Sequence, residues 1–156
     1  MNKLLFEQVT NTLNREVYGI AYSNTHNHFD SEDIVQDVFM RLWEYSKCHS
    51  FESLDHLKYW LIRVTVNRCE DYRRQVLRHP VVYLDDIREP EESYEHRDDI
   101  SKIDALDTKE YQIVFLHYYE GFSYREISQI LQISEVAARK RVSRARKALQ
   151  ASRSID

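Results

Sequence analysis

The sequence predicts an all-α protein made of two small helical domains. Its 156 residues contain only two glycines and two prolines, too few for the turns that a hairpin or barrel architecture requires. Apolar residues make up 42% of the chain, and they recur largely at spacings of three and four, as in helices with one buried face. Both observations favour helices that pack through apolar stripes.

Three amphipathic helices are predicted before the first proline. The first spans roughly residues 4–24. The second opens after Asp30 and Ser31, whose side chains are suitable N-caps, and the third runs from about residue 54 to residue 77. Pro80 follows, and proline cannot continue a helix. These three helices are the predicted content of the first domain.

The segment from residue 80 to residue 104 is predicted to link two domains. It holds both prolines, and it carries nine acidic residues against three basic ones. Few apolar side chains and high like charge favour an extended or disordered segment. The predicted boundaries are therefore a first domain at 1–79, an acidic linker at 80–104 and a second domain at 105–156.

The second domain is predicted to contain a helix-turn-helix. A helix capped by Thr108 ends at Gly121, which suits the left-handed conformation. A short amphipathic helix at 124–131, a turn at 132–134 and a basic helix at 135–149 follow. The predicted core between the last two helices consists of Ile127, Leu131, Ile133, Ala138 and Val142.

The last of these helices concentrates positive charge. It holds six basic residues and one acidic residue, although the formal net charge of the whole chain is −4. Arginine can bridge two acceptors on guanine, whereas contacts to phosphate position a protein without reading sequence. The alternative is a solvated basic helix end that the helix dipole favours. The residues predicted to face DNA bases are Arg139, Lys140, Ser143 and Arg144, and those predicted to contact phosphates are Arg141, Arg146 and Lys147.

The third helix is a second basic stretch, with six basic and two acidic residues between Lys58 and Arg78. The aromatic residues Tyr59, Trp60 and Tyr72 interleave with this charge. Basic charge beside aromatic faces suits unpaired bases, which stack on rings. Trp60, however, is predicted to belong to the core rather than to a stacking platform.

The second helix carries Asp33 and Asp37 one turn apart. Paired carboxylates can serve a metal or acid–base chemistry, as in a metal-dependent nuclease. No glycine-rich loop or third ligand set accompanies them, so a surface for a protein partner is the favoured interpretation, and we predict no catalytic residue, metal or cofactor. No common zinc-binding spacing is formed by the other candidate ligands, His26, His28, Cys48 and His49.

The sequence also bears on location. No apolar run approaches the length that crosses a membrane, and the first ten residues lack the features of a signal peptide. Two cysteines without close spacing fit a reduced interior rather than a disulfide framework. We therefore expect a cytoplasmic protein without membrane insertion.

Together, four segments resemble an extracytoplasmic-function (ECF) sigma factor of bacterial RNA polymerase. The segment DSEDIVQDVFMRLW (30–43) resembles the acidic–apolar helix of sigma region two, and YWLIRVTVNR (59–68) resembles the tryptophan–leucine helix of that region. Region four resembles GFSYREIS (121–128) and RKRVSRARKAL (139–149). The segments cover most of the chain and follow the order of the family.

The resemblance implies an all-α protein with a region-two helical bundle and a region-four helix-turn-helix. It implies that the chain binds core RNA polymerase and promoter DNA, directs promoter recognition and assists melting, while the polymerase does the chemistry. It also implies an anti-sigma partner and a monomer when free. In the family, the helix that docks on the polymerase corresponds to the one with Asp33, Gln36, Asp37, Arg41 and Trp43.

The resemblance further implies where promoter DNA binds. Arg139, Lys140 and Arg144 match positions that face the minus-thirty-five element, and Asn67 is the residue that we expect to contact a flipped base. The residues implied for the minus-ten element are Arg63, Asn67, Asp71, Tyr72, Arg73 and Arg74.

The chain departs from the family at the turn of the helix-turn-helix, and it is also compatible with an alternative function. The family often has glycine at the turn where this chain has Gln132. The alternative is a stand-alone helix-turn-helix regulator that binds DNA as a dimer. That protein would self-associate and would have no affinity for polymerase.

Overall fold

The computed structural model of the protein describes residues 1–78 and 108–153. Every regular element in these ranges is helical, which confirms the predicted all-α class. The chain divides into two compact units, Met1–Asp85 and Asp86–Asp156. The predicted linker at 80–104 lies outside the described residues, so its boundaries stay predictions.

The first unit is a bundle of three long helices, each of which packs against the other two. They are α1 (Lys3–Thr25), α2 (His28–Cys48) and α3 (Leu54–Arg78). Each contributes an apolar stripe to one core, as its three- and four-residue spacing predicts. The largest fully buried side chains in this core are Val17, Ile20, Ile34, Val38, Leu42, Leu61 and Ile62.

The start of α2 differs from the prediction. Asn27 is the N-cap, and its Oδ1 accepts a hydrogen bond from the backbone N–H of Asp30 at 3.0 Å. His26 adopts a left-handed conformation with φ 49°, which reverses the chain early and lets the helix begin at His28. The predicted caps, Asp30 and Ser31, were therefore wrong, and both lie inside the helix. The Ser31 hydroxyl instead donates to the Asn27 carbonyl at 2.6 Å.

The two cysteines lie in contrasting environments. Cys48 is exposed at the end of α2, whereas Cys69 is buried in α3. Burial raises the pKa of the Cys69 thiol to about 12, and this effect outweighs the opposing influence of the Arg73 and Arg68 charges. Because the thiolate is the reactive form of cysteine, Cys69 reacts only when α3 opens.

The second unit begins with α4 (Thr108–Val114), which continues into a π-helical turn at Phe115–Tyr119. Thr108, predicted to cap this helix, is its first residue. Gly121 then reverses the chain with φ 73°, as its position predicts. The helix-turn-helix follows as α5 (Tyr124–Leu131) and α6 (Glu135–Arg153).

The core of the second unit is small and depends on close approach between helices. Predicted members Ile127, Ala138 and Val142 are buried, but Leu131 and Ile133 are only half-buried because they flank the turn. Two alanines on α6 let α5 approach closely, since they add little volume between the helices. The buried apolar side chains of this unit are Ile113, Leu116, Ile127, Ile130, Ala138, Val142 and Ala145.

Local hydrogen bonds fix the ends of the helix-turn-helix. Ser123 and Glu126 form a capping box at the start of α5, with the Glu126 Oε2 accepting from the Ser123 N–H at 2.8 Å. The C-cap of α5 is Gln132, a non-glycine residue with φ 54° and ψ 47°. Ser134 then starts α6, as its Oγ accepts from the Ala137 N–H at 3.0 Å. The turn is therefore held at both ends.

None of the helices in the described ranges has the length and apolar character needed to span a membrane.

Candidate nucleic-acid and partner interfaces

The outward face of α6 is a run of exposed cations. Successive residues of a helix are about 100° apart around its axis. The residues between the buried positions of α6 therefore lie on the side of the helix opposite the core. No carboxylate partner is found for the cations of this face within the described part of the chain. The exposed residues of the face, all predicted from the sequence, are Lys140, Ser143, Arg144 and Lys147.

Arg139 and Arg146 lie two turns apart along one edge of α6, and both are exposed. The Arg139 guanidinium lies 5.5 Å from the centre of the Tyr124 ring and 4.0 Å from the Glu135 carboxylate. The Arg146 guanidinium lies 5.6 Å from the centre of the Tyr118 ring. Aromatic rings therefore support this edge, whereas the outward face is open.

The contact between Arg146 and Tyr118 also includes hydrogen bonds. Arg146 donates from Nε to the Tyr118 hydroxyl at 2.8 Å and from Nη2 to the same oxygen. The hydrogen bond to Tyr118 raises the pKa of Arg146 above its ordinary value. Arg146 thus keeps its charge while its orientation is restricted.

Arg141 does not share a face with these residues. It is half-buried, and a separation of two residues turns it about 200° around the helix from Arg139. The other six predicted DNA-binding residues of α6 are exposed. Arg141 alone lies at the opposite edge, beside the core.

Part of the predicted minus-ten surface forms a continuous stripe on α3. Arg63, Asn67, Asp71 and Arg74 are exposed and recur at spacings of four, four and three, which brings them to one side of a helix. The only ion pair within this stripe joins the Arg74 and Asp71 side chains at 3.9 Å, among the described residues. The stripe therefore presents two arginines, one amide and one carboxylate to a partner.

The other two residues predicted for the minus-ten element lie off this stripe. The Tyr72 hydroxyl donates to the Asp30 carboxylate at 2.7 Å, which ties α3 to α2. Arg73 is half-buried and pairs with Glu70 of its own helix. Both side chains therefore contribute to the structure of α3 beside the stripe.

The predicted polymerase-docking residues of α2 separate into two groups. Asp33 and Gln36 are exposed, and they lie between two exposed apolar side chains of the same helix, Phe29 at 63% and Met40 at 67%. Exposed apolar side chains beside polar ones are typical of a surface that meets another protein. This stripe has the composition of a docking surface.

The other docking candidates have partners inside the bundle. Asp37 accepts a hydrogen bond from Arg68 of α3 at 2.8 Å and pairs with Arg41 at 3.1 Å. The Trp43 ring packs edge-on against Phe6 of α1, with 5.0 Å between ring centroids. Asp37 and Trp43 thus hold α2 against α3 and α1, a role that the sequence does not reveal because the partners are distant in the chain. Arg41 pairs only within its own helix, among the described residues.

An aromatic cluster that was not predicted from the sequence surrounds the loop between α2 and α3. Trp60, predicted to be core, is half-buried, and its ring lies 4.7 Å from that of Tyr45 and 5.7 Å from that of Phe51. His49 stacks on Tyr45 with 4.1 Å between centroids. The sequence feature that could have predicted this cluster is the presence of aromatic residues on both sides of a short loop.

No group of three or more histidine, cysteine, aspartate or glutamate side chains in the described ranges is placed to hold a metal ion. The pair formed by Asp33 and Asp37 therefore has no third candidate ligand there. Because Asp37 is engaged by two arginines, its carboxylate serves an ion-pair network.

Comparison with known proteins relates both units to one family. The model of sigma-70 region 2 matches residues 10–78, and the model of sigma-70 region 4 matches residues 100–149. The chain is 32% identical to the RNA polymerase sigma factor NccH of Alcaligenes xylosoxydans xylosoxydans, over 78% of this chain and 72% of NccH. It is 29% identical to the ECF RNA polymerase sigma factor SigM of Bacillus subtilis, over 87% of each chain.

A solved structure has the same fold. It is the sigma factor RpoE in complex with the anti-sigma factor NepR from Bartonella quintana. The TM-score is 0.68 with 25% sequence identity, over 97% of this chain and 98% of RpoE. These findings agree with the resemblance noted in the sequence.

Proposed function

Because the chain belongs to the RNA polymerase sigma factors and is of the ECF type, we propose that its two units divide the work of transcription initiation. As a sigma factor, it binds core RNA polymerase and directs promoter recognition and DNA melting. The polymerase supplies the catalytic residues. The proposed limits of the units are residues 1–79 and 105–156, joined by the acidic segment at 80–104.

The second unit reads the minus-thirty-five element in duplex DNA. The observation that carries this assignment is the open face of α6, where Lys140, Arg144 and Lys147 are exposed opposite the core. A recognition helix enters the major groove with such a face toward the base edges. Arg144 contacts bases, and Lys147 neutralises phosphate.

The first unit binds the minus-ten element through the exposed stripe of α3. Arg63 and Arg74 attract the DNA backbone, and Asn67 between them contacts a flipped base of the non-template strand. Tyr72 and Arg73 support the stripe through their bonds to Asp30 and Glu70. The aromatic cluster beside Trp60 adds stacking surface close to this helix.

The polymerase docks on the exposed stripe of α2. Asp33 and Gln36 provide polar contacts, while Phe29 and Met40 provide apolar area. Asp37 and Trp43 act indirectly, by holding α2 in place, and Arg41 supports Asp37 through an ion pair within the helix. The stability of the bundle and the affinity for polymerase are therefore linked.

Regulation comes from an anti-sigma protein that binds the free monomer in the cytoplasm. The support is the relative RpoE, which is seen in complex with the anti-sigma factor NepR. The stand-alone regulator is not favoured, because residues 10–78 match the model of sigma-70 region 2, and a protein that only binds duplex DNA does not need such a domain.

The test is the affinity of the labelled protein for core RNA polymerase, measured by fluorescence anisotropy. Asp33→Arg should weaken binding by at least roughly tenfold, because like-charge contact at an interface costs several kcal/mol. Asn11→Arg, which also introduces an arginine, at an exposed position of α1, should bind like the parent. Equal affinity of Asp33→Arg and the parent would reject α2 as the docking surface. A parent chain that self-associates and does not bind core would favour the stand-alone regulator.

A further inference from the structure

The π-helical turn at Phe115–Tyr119 directs one side chain toward the recognition helix. The turn is closed by a bond from the Glu120 N–H to the Phe115 carbonyl at 3.0 Å, the five-residue span of a π-helix. Within it, Tyr118 reaches Arg146 of α6, whereas the Tyr119 ring stacks on Phe115 with 5.1 Å between centroids. Two adjacent tyrosines therefore have different partners.

The Tyr118 ring is itself fixed by its neighbours. It lies edge-on to His117 at 4.9 Å, and His117 stacks on Tyr124 at 4.6 Å. The Tyr124 ring in turn lies under Arg139. A continuous row of rings thus runs along one edge of α6 beneath two arginines.

Arg146 is held without being neutralised. Its hydrogen-bond partner is a neutral hydroxyl rather than a carboxylate, so the full positive charge stays at the surface. A guanidinium has five N–H donors, and the bonds from Nε and Nη2 use two of them. The remaining three donors are left for another acceptor.

The edge on which Arg146 lies is next to the DNA backbone when α6 occupies a groove. In a helix-turn-helix, the recognition helix enters the major groove and the preceding helix crosses the backbone. Arg146 is on the side of α6 that faces the preceding helical segments, as its contact with Tyr118 requires. Its acceptor in a complex is therefore a phosphate oxygen, which forks of arginine donors match well.

We propose that Tyr118 is a positioning residue that holds the Arg146 guanidinium in place for a DNA phosphate beside the minus-thirty-five element. This inference rests on the proposed DNA-binding role of α6. A flexible arginine loses side-chain freedom when it binds, and that loss weakens binding. Tyr118 restricts Arg146 in the free protein, so less freedom is lost on binding.

The experiment compares Tyr118→Phe with the parent in binding to a minus-thirty-five duplex taken from a promoter that the holoenzyme transcribes. The substitution keeps the ring and removes only the hydroxyl. Binding should weaken roughly three- to tenfold, by a similar factor for every single-base variant of the duplex, because phosphate contacts carry no sequence information. Tyr119→Phe is the matched control, and it should bind like the parent.

A double-mutant cycle shows whether the effect passes through Arg146. Arg146→Ala should reduce the slope of binding against salt by about one phosphate contact, and adding Tyr118→Phe to it should have no further effect. Circular dichroism and thermal melting of each variant check that α6 stays folded.

Three results would overturn the proposal. The first is that Tyr118→Phe binds the duplex with the affinity of the parent. The second is that Tyr118→Phe lowers the affinity equally in the presence and absence of Arg146, and the third is that it lowers the affinity only for particular base substitutions in the duplex. A parent chain that fails to bind the duplex at all would instead contradict the proposed function. The two failures are therefore distinguishable.

Discussion

The two units of this protein use positive charge in different ways. In the first unit, arginines of α3 are paired with carboxylates, as in the bonds from Arg68 to Asp37 and from Arg73 to Glu70. In the second unit, the outward cations of α6 have no carboxylate partner among the described residues, and Arg146 is held by a tyrosine hydroxyl. Arg68 and Arg73 therefore stabilise the first unit, where Arg63 and Arg74 of the exposed stripe are left for DNA, whereas the whole outward face of α6 remains available to a polyanion.

The difference follows from what each unit must do. The first has a large core from three helices of 21 to 25 residues, and its ion pairs set how the helices sit beside an exposed stripe. The second has a small core, and its net positive charge is concentrated where DNA would lie. Four substitutions test this contrast, and their expected effects range from a large loss of stability to a small gain.

The largest effect is expected from truncating the small core. Ile127 is fully buried between α5 and α6, so Ile127→Ala should lower the free energy of unfolding of the second unit by about 2–5 kcal/mol. Urea denaturation, monitored by the hydrogen exchange of the backbone amides of α6, measures this loss. Ile133→Ala, at a half-buried position of the turn, should cost clearly less. Equal costs would show that the core is not where the structure places it.

Breaking the ion pair between α2 and α3 should destabilise the first unit. Asp37→Asn leaves Arg68 half-buried beside a neutral group, and the expected cost is roughly 1–3 kcal/mol. The rate of alkylation of the adjacent Cys69 thiol should rise, because α3 opens more often, while that of exposed Cys48 should stay constant.

Asp33→Asn is the control for this substitution, since Asp33 is exposed on the same helix and surface changes usually have small effects. The Asp37–Arg68 pair would have no stabilising role if Asp37→Asn and Asp33→Asn gave the same Cys69 alkylation rate and the same urea midpoint.

Removing an open cation of α6 should act on binding and not on folding. Arg144→Ala should cost about 1–3 kcal/mol of affinity for the minus-thirty-five duplex and should relax discrimination at one base pair. Its melting temperature should match that of the parent. A lower melting temperature with unchanged affinity would mean that Arg144 is a structural residue, like Arg68.

The smallest effect is expected at the turn of the helix-turn-helix. Gln132 has φ 54°, a conformation that costs a residue with a Cβ roughly 1–2 kcal/mol. Gln132→Gly should therefore raise the stability of the second unit, by about 0.5–1 kcal/mol after the greater freedom of glycine in the unfolded chain is counted. Thermal melting gives the sign, and a lower melting temperature would argue against strain at this turn.

Local patterns in the sequence predict much of this molecule. Apolar spacing identified the three long helices and the helix-turn-helix, and the position of Gly121 predicted its left-handed conformation. The true cap of α2, Asn27, was missed because Asp30 and Ser31 are equally good caps by residue type. The left-handed conformation of His26 decides which of these residues is the N-cap, and the sequence does not predict that conformation.

Pairings between distant residues could not be predicted in the same way. Asp37 and Arg68 are 31 residues apart, and Tyr118 and Arg146 are 28 apart. Each residue alone is compatible with an exposed, DNA-facing or protein-facing role. Only the packing of the helices shows that Asp37, Trp43 and Tyr72 have partners inside the bundle, whereas Asn67 and Arg144 face outward.

The most direct test of the division of work is run-off transcription with purified protein, bacterial core polymerase and a pool of genomic promoter fragments. Discrete transcripts are expected only when both proteins are present, and Arg144→Ala and Asp33→Arg should reduce them whereas Asn11→Arg should not. An absence of transcripts, together with a failure of the protein to co-migrate with core polymerase, would contradict the proposed division of work.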